Sequence, residues 1–288
     1  MKADNAVIIA AGASSRFAPL SHERHKGLTE VRGEILIERQ LRQLIAAGIT
    51  EIHIVTGYKA EQFQYLKDKF HVHLIPNPEY RRRNNHSSIW AAREVLGNSY
   101  ICSVDNYFTE NPFEAEVSEA YYAAEYADGP TREWCMREGP DGFIDDVTIG
   151  GADAWYMLGH AFWSAEFSRR FLDILEREYP TAEIKGKLWE AVYREHLDTL
   201  KLKIRRYDPG VIQEFDTLDE LRRFDPSYWD DTRSPILRRL AAQLGVPERE
   251  ITDLKPLMGA DAEAQGFVYT CRHRQYEYRY GKDGTQNG

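Results

Sequence analysis

Residues 6–26 read AVIIAAGASSRFAPLSHERHK, and this stretch decides the fold that the rest of the chain is expected to adopt. Residues 6–10 form a short, wholly apolar run, which is typical of a parallel strand covered on both faces. Residues 11–15 carry only small side chains, so successive backbone N–H groups can surround phosphate oxygens. Arg16 and Lys26 add fixed positive charge after this loop. The stretch therefore predicts a buried strand that ends in a phosphate-binding loop.

The loop differs from the two most familiar phosphate-binding patterns. It lacks G-x-x-x-x-G-K-[ST], the P-loop pattern, and it lacks G-x-G-x-x-G, the dinucleotide fingerprint. An ordinary strand-to-helix turn, with Arg16 and Lys26 simply exposed, is the alternative interpretation. On these residues alone, both interpretations stay open.

Composition limits the possible partners. The chain has 288 residues, of which 42% are hydrophobic, enough for one large core with an appendage. A formal net charge of −9 and a pI of about 5.6 argue against nucleic acid or an anionic membrane as the main partner. An anionic substrate must therefore meet a local cationic site.

Cysteine usage and hydropathy predict a cytoplasmic protein. The three cysteines are odd in number, widely spaced and free of C-x-x-C, which favours neither a disulfide framework nor a zinc site. No run approaches the roughly 18 apolar residues of a membrane span, and residues 1–5 are too polar for a signal peptide. We expect no membrane insertion, and the sequence gives no indication of the oligomeric state.

Strand and helix patterns alternate along the first part of the chain. Residues 35–48 place their apolar side chains on one helical face, and residues 61–70 are typical of a second helix. Residues 52–56 and 72–75 are strand-like runs. Such alternation produces right-handed βαβ units and a parallel sheet. The predicted fold class is α/β, with a Rossmann-like, mostly parallel sheet flanked by helices.

Residues 121–160 change character and predict a small antiparallel extension that shapes an acceptor pocket. Its strands are separated by predicted turns at residues 128–130, 139–142 and 150–151. A composition shift at residues 225–234 then predicts a boundary between a main domain, residues 1–230, and a C-terminal appendage, residues 231–288. The appendage begins with a short helix that has Pro235 in its first turn.

A polar cluster and two acids are candidate functional residues. The cluster is Asn84-Asn85-His86-Ser87-Ser88, and it opens a predicted helix, where N–H groups attract anions or meet a base edge. Helix capping explains one of these five residues and leaves the others unexplained. Asp105 follows a predicted strand at the edge where open α/β sheets bind ligands, although a lone acid there is often a cap or turn former. Asp216 precedes a T-x-x-E capping box and is not needed for it, so it is a candidate cation ligand.

The loop resembles the signature A-A-G-x-G-[ST]-R-[FM]-x-P, followed by lysine, of the nucleotidyltransferase superfamily. Within that superfamily, residues 5–230 are most similar to bacterial CTP:phosphocholine cytidylyltransferases. The motifs that carry this resemblance are Gln62-x-x-Tyr65-Leu66-Lys67, Asn84-Asn85, Asp105-Asn106-Tyr107 and Glu214-Phe215-Asp216. It implies transfer of CMP from CTP to phosphocholine or a related small phosphorylated amino alcohol, with release of pyrophosphate.

The resemblance also implies roles for individual residues. Arg16 and Lys26 are the expected catalytic cations, and Asp105 and Asp216 the expected Mg²⁺ ligands. The expected nucleotide-binding residues are Ala10, Ala11, Gly12, Ala13, Ser14, Ser15, Tyr80, Asn84, Asn85 and Ser87. The expected acceptor-binding residues are Trp134, Trp189 and Glu190.

Three departures from the family pattern leave alternatives open. Ser14 replaces the second glycine of the loop, Ser103 replaces the first acid of D-x-D, and Leu188 stands where the family has a third aromatic residue. The alternatives are 2-aminoethylphosphonate or another phosphonate as acceptor, a sugar 1-phosphate as acceptor, or a non-catalytic nucleotide-binding protein. Residues 251–280 resemble the start of a choline or ethanolamine kinase, but no H-G-D-x-x-x-x-N follows, so a working kinase is not expected.

Overall fold

The computed structural model describes residues 1–259, residues 263–281 and the backbone of residues 286–287. The chain divides into two compact units. The first, here called the sheet unit, comprises Met1–Gly12 and Ile37–Glu214. The second, here called the loop unit, comprises Ala13–Leu36 and Phe215–Gly288. The signature loop is thus divided after Gly12, with its Arg16 and Lys26 in the loop unit.

Regular elements cover most of the described chain. The strands are β1 Asn5–Ala10, β2 Glu30–Val31, β3 Glu34–Ile35, β4 Ile52–Thr56, β5 His73–Pro76, β6 Ser99–Ser103, β7 Asn106–Phe108, β8 Tyr121–Glu138, β9 Ile144–Trp163, β10 Lys203–Arg206, β11 Ile212–Glu214, β12 Thr252–Met258, β13 Ala264–Cys271, β14 Arg274–Arg279 and β15 Gln286–Asn287. The α-helices are α1 Leu20–Glu23, α2 Leu36–Ala46, α3 Tyr65–Phe70, α4 His86–Ala91, α5 Ala165–Glu178, α6 Trp189–Glu195, α7 Leu218–Phe224 and α8 Pro235–Leu244.

The sheet unit is built on a seven-stranded sheet in the order β10-β8-β9-β6-β1-β4-β5. Strands β6, β1, β4 and β5 run parallel, whereas β9 is antiparallel to both β6 and β8. The side chains of Val7 and Ile8 in β1 have no exposed surface, because helices cover both faces of the central strands. The predicted α/β fold with a mostly parallel sheet is confirmed.

Strands β8 and β9 form the predicted antiparallel extension, but two of its predicted turns are wrong. β8 continues through residues 128–130 and β9 through residues 150–151, and only the turn at residues 139–142 separates the strands. The register between the strands shifts at Ala127/Pro130 and Thr131/Trp134. Glycine and proline therefore mark bulges in a long hairpin here, because cross-strand pairing on both sides keeps the chain extended.

The loop unit contains the β2–β3 hairpin and the antiparallel sheet β12-β13-β14-β15. The predicted capping box of α7 is present, with Thr217 and Glu220 each bonded to the other's backbone N–H. The predicted domain boundary at residue 230 stays a prediction, and residues 260–262, 282–285 and 288 of the predicted appendage lie outside the described residues. Among the described helices, none is both long and apolar enough to span a bilayer.

Candidate active site

The signature loop turns sharply at Ser14. This residue has φ 50° and ψ 46°, the left-handed conformation, and the 3-10 helix Ser15–Phe17 follows it directly. The ring of Phe17 is buried and anchors the far side of the turn. A residue with a Cβ is strained in this conformation, so a glycine is the natural residue at position 14 and serine carries a steric cost there.

We expect Ser14→Gly to raise the free energy of unfolding by about 0.5–1 kcal/mol, because glycine removes the left-handed strain but adds freedom to the unfolded chain. The matched control is Ser15→Gly, since Ser15 has no positive φ and the same change there should destabilise the protein. Urea denaturation of the three proteins measures both effects. Equal shifts for the two variants would contradict strain at Ser14.

Asp216 holds the two predicted cations of the loop unit. The Lys26 Nζ lies 3.2 Å from Asp216 Oδ1, and the Arg16 Nη1 lies 2.7 Å from Oδ2. Lys26 is almost fully buried, with 2% of its side chain exposed, whereas 71% of the Arg16 side chain is exposed. Because a buried ammonium is stable only with polar or charged partners, Asp216 accounts for the burial of Lys26. The structure thus brings together three of the predicted site residues.

In the sheet unit, Asp105 lies close to a second acid that the sequence analysis did not select. Strands β7 and β11 pair with Glu214 opposite Asn106, and this register brings carboxylate oxygens of Asp105 and Glu214 within 4.8 Å of each other. The Ser103 hydroxyl donates to Asp105 Oδ1 at 2.5 Å. Ser103 therefore orients the acid that remains of the family's D-x-D pattern.

The residues around Asp105 are suited to a hard cation. Two neighbouring carboxylates repel each other unless a cation or proton lies between them, and Mg²⁺ prefers oxygen ligands of this kind. Asn106 is 1% exposed, and neither its side-chain oxygen nor its side-chain nitrogen has a hydrogen-bond partner among the residues that the structure describes. A buried amide without such a partner is costly, and this one belongs to the residue that directly follows Asp105.

Gly57 lies between the ring of Tyr80 and the backbone that follows β1. The Tyr58 N–H donates to the Ala11 carbonyl at 3.0 Å. A Cβ on Gly57 would lie 2.7 Å from the Tyr80 ring and 2.8 Å from the Ala11 oxygen. Gly57 therefore allows Tyr80, a predicted nucleotide-binding residue, to approach the predicted loop backbone. Sequence reasoning missed Gly57, although a glycine directly after a strand is a signal of close approach.

The polar cluster before α4 is ordered by its own hydrogen bonds. The Asn84 side-chain amide donates to the Gly186 carbonyl at 3.1 Å, and the Ser87 hydroxyl donates to the Asn84 carbonyl at 2.8 Å. Asn77 donates to the Ser87 hydroxyl at 2.9 Å, and Ser87 is buried. Asn84 is exposed and so is accessible to a base, whereas Ser87 mainly orders the turn. The role of both residues in binding stays a prediction.

Asn85 and Glu190 form one hydrogen-bonded group, although they were predicted for two different substrates. The Asn85 amide donates to Glu190 Oε2 at 3.2 Å, and the Tyr122 hydroxyl donates to Oε1 at 3.2 Å. Asn85 Oδ1 accepts a hydrogen bond from the backbone N–H of Trp189 at 2.7 Å and so fixes the start of α6. Burial raises the pKa of Glu190 to about 7, and the hydrogen bonds from Asn85 and Tyr122 oppose that shift. Glu190 can therefore hold or release a proton near neutral pH.

We expect the raised pKa of Glu190 to make the protein less stable as the pH rises from about 4.5 to about 7. Over this range the unfolded chain loses the proton while the folded chain keeps it, so the free energy of unfolding falls, by up to about 3 kcal/mol. Above about pH 7 both states are ionised and this contribution is constant.

Chemical denaturation at several pH values gives the free energy of unfolding of the native protein and of Glu190→Gln. The difference between the two values measures the contribution of Glu190. Glu94→Gln is the matched control, because the Glu94 side chain is 82% exposed. If the difference in the free energy of unfolding between the native protein and Glu190→Gln does not change with pH, Glu190 has an ordinary pKa.

The two tryptophans predicted around the acceptor lie in different surroundings. Trp189 is 3% exposed, stacks on Tyr122 with ring centroids 5.5 Å apart, and meets Trp163 edge-on at 5.1 Å. Trp134 is half-buried, and the Arg194 guanidinium lies 5.9 Å from its ring centroid. Among the described residues no ring contact joins Trp134 to Trp189. Trp134 already faces a cation, whereas Trp189 is packed as a core residue.

Comparison with known proteins places this geometry in a family context. The model of the MobA-like NTP transferase domain matches residues 6–128. A choline-phosphate cytidylyltransferase of Streptococcus pneumoniae is 30% identical over 220 residues, which cover 76% of this chain and 96% of that protein. A 2-aminoethylphosphonate cytidylyltransferase of Lancefieldella rimae is 34% identical over 228 residues, which cover 78% of this chain and 93% of that protein.

A solved structure agrees with these similarities. The CTP:phosphocholine cytidylyltransferase from Streptococcus pneumoniae matches this chain with a TM-score of 0.75 and 29% sequence identity. The match covers 79% of this chain and 99% of that one. About a fifth of this chain therefore has no counterpart in that structure.

Proposed function

We propose that the chain transfers CMP from CTP to a small phosphorylated amino alcohol. It belongs to the nucleotidyltransferase family that includes the choline-phosphate cytidylyltransferases. The observation that carries this proposal in the structure is the buried Lys26, in the segment that follows the small-residue loop, paired with Asp216. Such a lysine is held in place before any ligand binds. It is a fixed positive charge for a substrate that carries several negative ones.

The proposed reaction is one direct displacement. A phosphate oxygen of the acceptor forms a bond to the α-phosphorus of CTP, and the bond from that phosphorus to the bridging oxygen of the β-phosphate breaks. Pyrophosphate leaves with the bonding electron pair, and no covalent enzyme intermediate forms. The protein has to align the two substrates and neutralise their charge. Arg16 and Lys26 supply charge to the triphosphate in this scheme.

Mg²⁺ is the proposed cofactor, with Asp105 and Asp216 as the predicted ligands and Glu214 as an added candidate. Carboxylate oxygens near substrate phosphates are the usual environment of this ion. When bound, Mg²⁺ neutralises charge that develops on the phosphate oxygens. The fit rests on the neighbouring acids Asp105 and Glu214 and on the buried Asn106 amide.

Recognition of cytosine is proposed for the residues at the carboxyl edge of the sheet. Backbone groups of Ala11 and Gly12 and the exposed amide of Asn84 are the proposed contacts to the base. Ala10 and Ala11 are buried, so their backbone is fixed in position. A Cβ on Gly12 would meet no atom within 4 Å, so that side of the loop is open to a ligand. Ala13, Ser14 and Ser15 are proposed to follow the phosphates.

For the acceptor, the proposed contacts are Trp134 for a cationic head group and Glu190 for its charge. A cation over a tryptophan face is worth roughly 0.5–2 kcal/mol. Trp189 is buried against Tyr122 and Trp163. This favours a structural role for Trp189 over direct contact with the acceptor. A partial set of rings together with a carboxylate also suits a primary ammonium. This favours 2-aminoethylphosphonate or phosphoethanolamine as the second candidate acceptor.

The test of the acceptor is the value of kcat/KM for phosphocholine, phosphoethanolamine and 2-aminoethylphosphonate, measured side by side with CTP. Trp134→Ala should lower the value for phosphocholine most, because a methylated head group depends most on ring contacts. Trp155→Ala is the matched control, since Trp155 is also half-buried and has the Arg206 guanidinium 5.4 Å from its ring. Equal rates for native protein and Trp134→Ala with all three acceptors would remove Trp134 from the site.

Two other interpretations have distinct outcomes when a sugar 1-phosphate is added to the acceptors of this assay. A sugar-1-phosphate nucleotidyltransferase would release pyrophosphate only with a sugar phosphate. A non-catalytic nucleotide-binding protein would bind CTP and release none. A cytoplasmic location and the absence of membrane insertion stay predictions.

A further inference from the structure

In the loop unit, the segment of residues 13–36 contacts the C-terminal part of the chain at several points. The 3-10 helix Ser15–Phe17 packs against β12. The ring of His22 in α1 stacks on Tyr280, with centroids 3.5 Å apart and planes 5° from parallel. These contacts join the start of the segment to β12 and to Tyr280, which directly follows β14.

The end of the segment is held by residues around α7. The Tyr228 hydroxyl donates to the Glu30 carbonyl at 2.5 Å, and the Arg32 N–H donates to Asp225 Oδ2 at 2.8 Å. The Arg32 guanidinium lies over the ring of Phe224 at 3.8 Å from its centroid. The β2–β3 hairpin is therefore fixed by side chains of one short stretch, residues 224–228, which begins at the last residue of α7.

Between these two anchors, Glu23 completes the N-terminus of α8. The first four N–H groups of a helix have no partner within it. In α8, Pro235 has no N–H, Ile236 donates to Glu23 Oε1 at 2.8 Å, and Leu237 donates to Ser234 Oγ at 3.1 Å. Glu23 therefore accepts the Ile236 N–H, while Ser234 accepts the N–H of the next residue. The negative charge of Glu23 also suits this end of the helix dipole.

Helix α1 is too short to hold Glu23 in place by itself. It has four residues, and a single helical turn is unstable without packing, since nucleation fixes several dihedrals for one hydrogen bond. Lys26 lies three residues after Glu23 and has 2% of its side chain exposed. Only two residues, Arg24 and His25, separate Glu23 from the lysine.

We propose that Glu23 is a positioning residue, which fixes the lysine-bearing segment by capping α8 and so sets the affinity for the nucleoside triphosphate. This inference rests on the proposed function, because it concerns the same site. It extends that function to α8, which lies beyond residue 230, the predicted end of the main domain. Loss of the cap lowers the fraction of molecules whose loop is ready to bind, and the apparent affinity falls by that fraction.

The experiment compares native protein, Glu23→Ala, Glu23→Gln and the control Glu94→Ala. In steady-state assays with CTP, Glu23→Ala should raise KM for CTP about ten-fold and leave kcat within about three-fold, because bound nucleotide selects the ordered loop. Glu23→Gln keeps an oxygen that accepts the Ile236 N–H, so it should restore most of the affinity. Glu94→Ala should match the native protein.

Amide hydrogen exchange on the same proteins without nucleotide reports the loop directly. Glu23→Ala should speed exchange across residues 20–28 about ten-fold, and His22→Ala, which loses the ring stack on Tyr280, should act in the same direction if Glu23→Ala fails to fold. Faster exchange in a protein that is inactive with every nucleotide would overturn the proposed function while supporting the positioning role. Unchanged exchange, or faster exchange with an unchanged KM for CTP in an active protein, would overturn the positioning role.

Discussion

Lys26→Ala is expected to lower turnover roughly 10²–10³-fold while the protein stays folded. Lys26 Nζ is buried and lies 3.2 Å from Asp216, so its charge is fixed before substrate arrives. A preorganised charge of this kind stabilises negative charge that develops in the transition state without having to reorganise. Removing it should therefore lower kcat more than it raises KM for CTP.

The matched control for this prediction is Lys2→Ala, since Lys2 is exposed and belongs to none of the predicted motifs. Pyrophosphate release by the purified proteins gives the rates, and thermal unfolding shows whether the variant is folded. A folded Lys26→Ala protein with undiminished turnover would remove Lys26 from the site.

Asp105→Ala and Asp216→Ala are expected to abolish activity at low Mg²⁺, and the double variant should be hardly worse than either single one. Residues that hold the same ion act as a unit, so losing one removes most of what the other contributes. Asp216→Ala also removes the ion pairs to Arg16 and Lys26, so it should lower stability as well. Glu214→Ala should resemble Asp105→Ala, because its carboxylate is within 4.8 Å of that of Asp105.

The rates of these variants across a Mg²⁺ titration test the shared role, with Asp68→Ala, an exposed acid on α3, as the control. Higher Mg²⁺ should restore part of the activity of each single variant. Mild, additive losses that do not depend on Mg²⁺ would show that these acids are structural.

Local signals in the sequence were reliable where a few neighbouring residues determine the outcome. The T-x-x-E pattern predicted the capping box of Thr217 and Glu220, which the structure confirms. Ser14 stands where the family pattern has a glycine, and its φ of 50° is a conformation that glycine adopts without strain. The alternation of strands and helices predicted the parallel sheet, because each apolar run needs a cover on both faces.

Features that depend on distant pairing were missed. Glu214 joins Asp105 only because β11 pairs with β7, and no pattern around residue 214 reveals that register. The turns predicted at residues 128–130 and 150–151 were overridden by pairing along the whole β8–β9 hairpin. The burial of Trp189 follows from its packing on Tyr122 and Trp163, which the sequence of α6 alone does not determine.

The family resemblance predicted from the signature loop and its companion motifs is confirmed by relatives that share about a third of their residues with this chain. The chain is a nucleotidyltransferase of the cytidylyltransferase type. The resemblance of residues 251–280 to the start of a kinase stays a prediction. In the structure the described residues of this range contribute strands β12, β13 and β14, and Tyr280 stacks on His22 of the lysine-bearing segment.

The most direct test of the account is product identification by phosphorus NMR. Purified protein is incubated with Mg²⁺, CTP and either phosphocholine, phosphoethanolamine or 2-aminoethylphosphonate, and parallel samples contain UTP, ATP or GTP. We predict that CTP disappears with at least one of these acceptors, and that pyrophosphate and a CMP conjugate of the acceptor form in equal amounts. The other three nucleotides should react far more slowly, and Lys26→Ala should give little product. Absence of a conjugate with every acceptor, or equal reaction of all four nucleotides, would contradict the assignment.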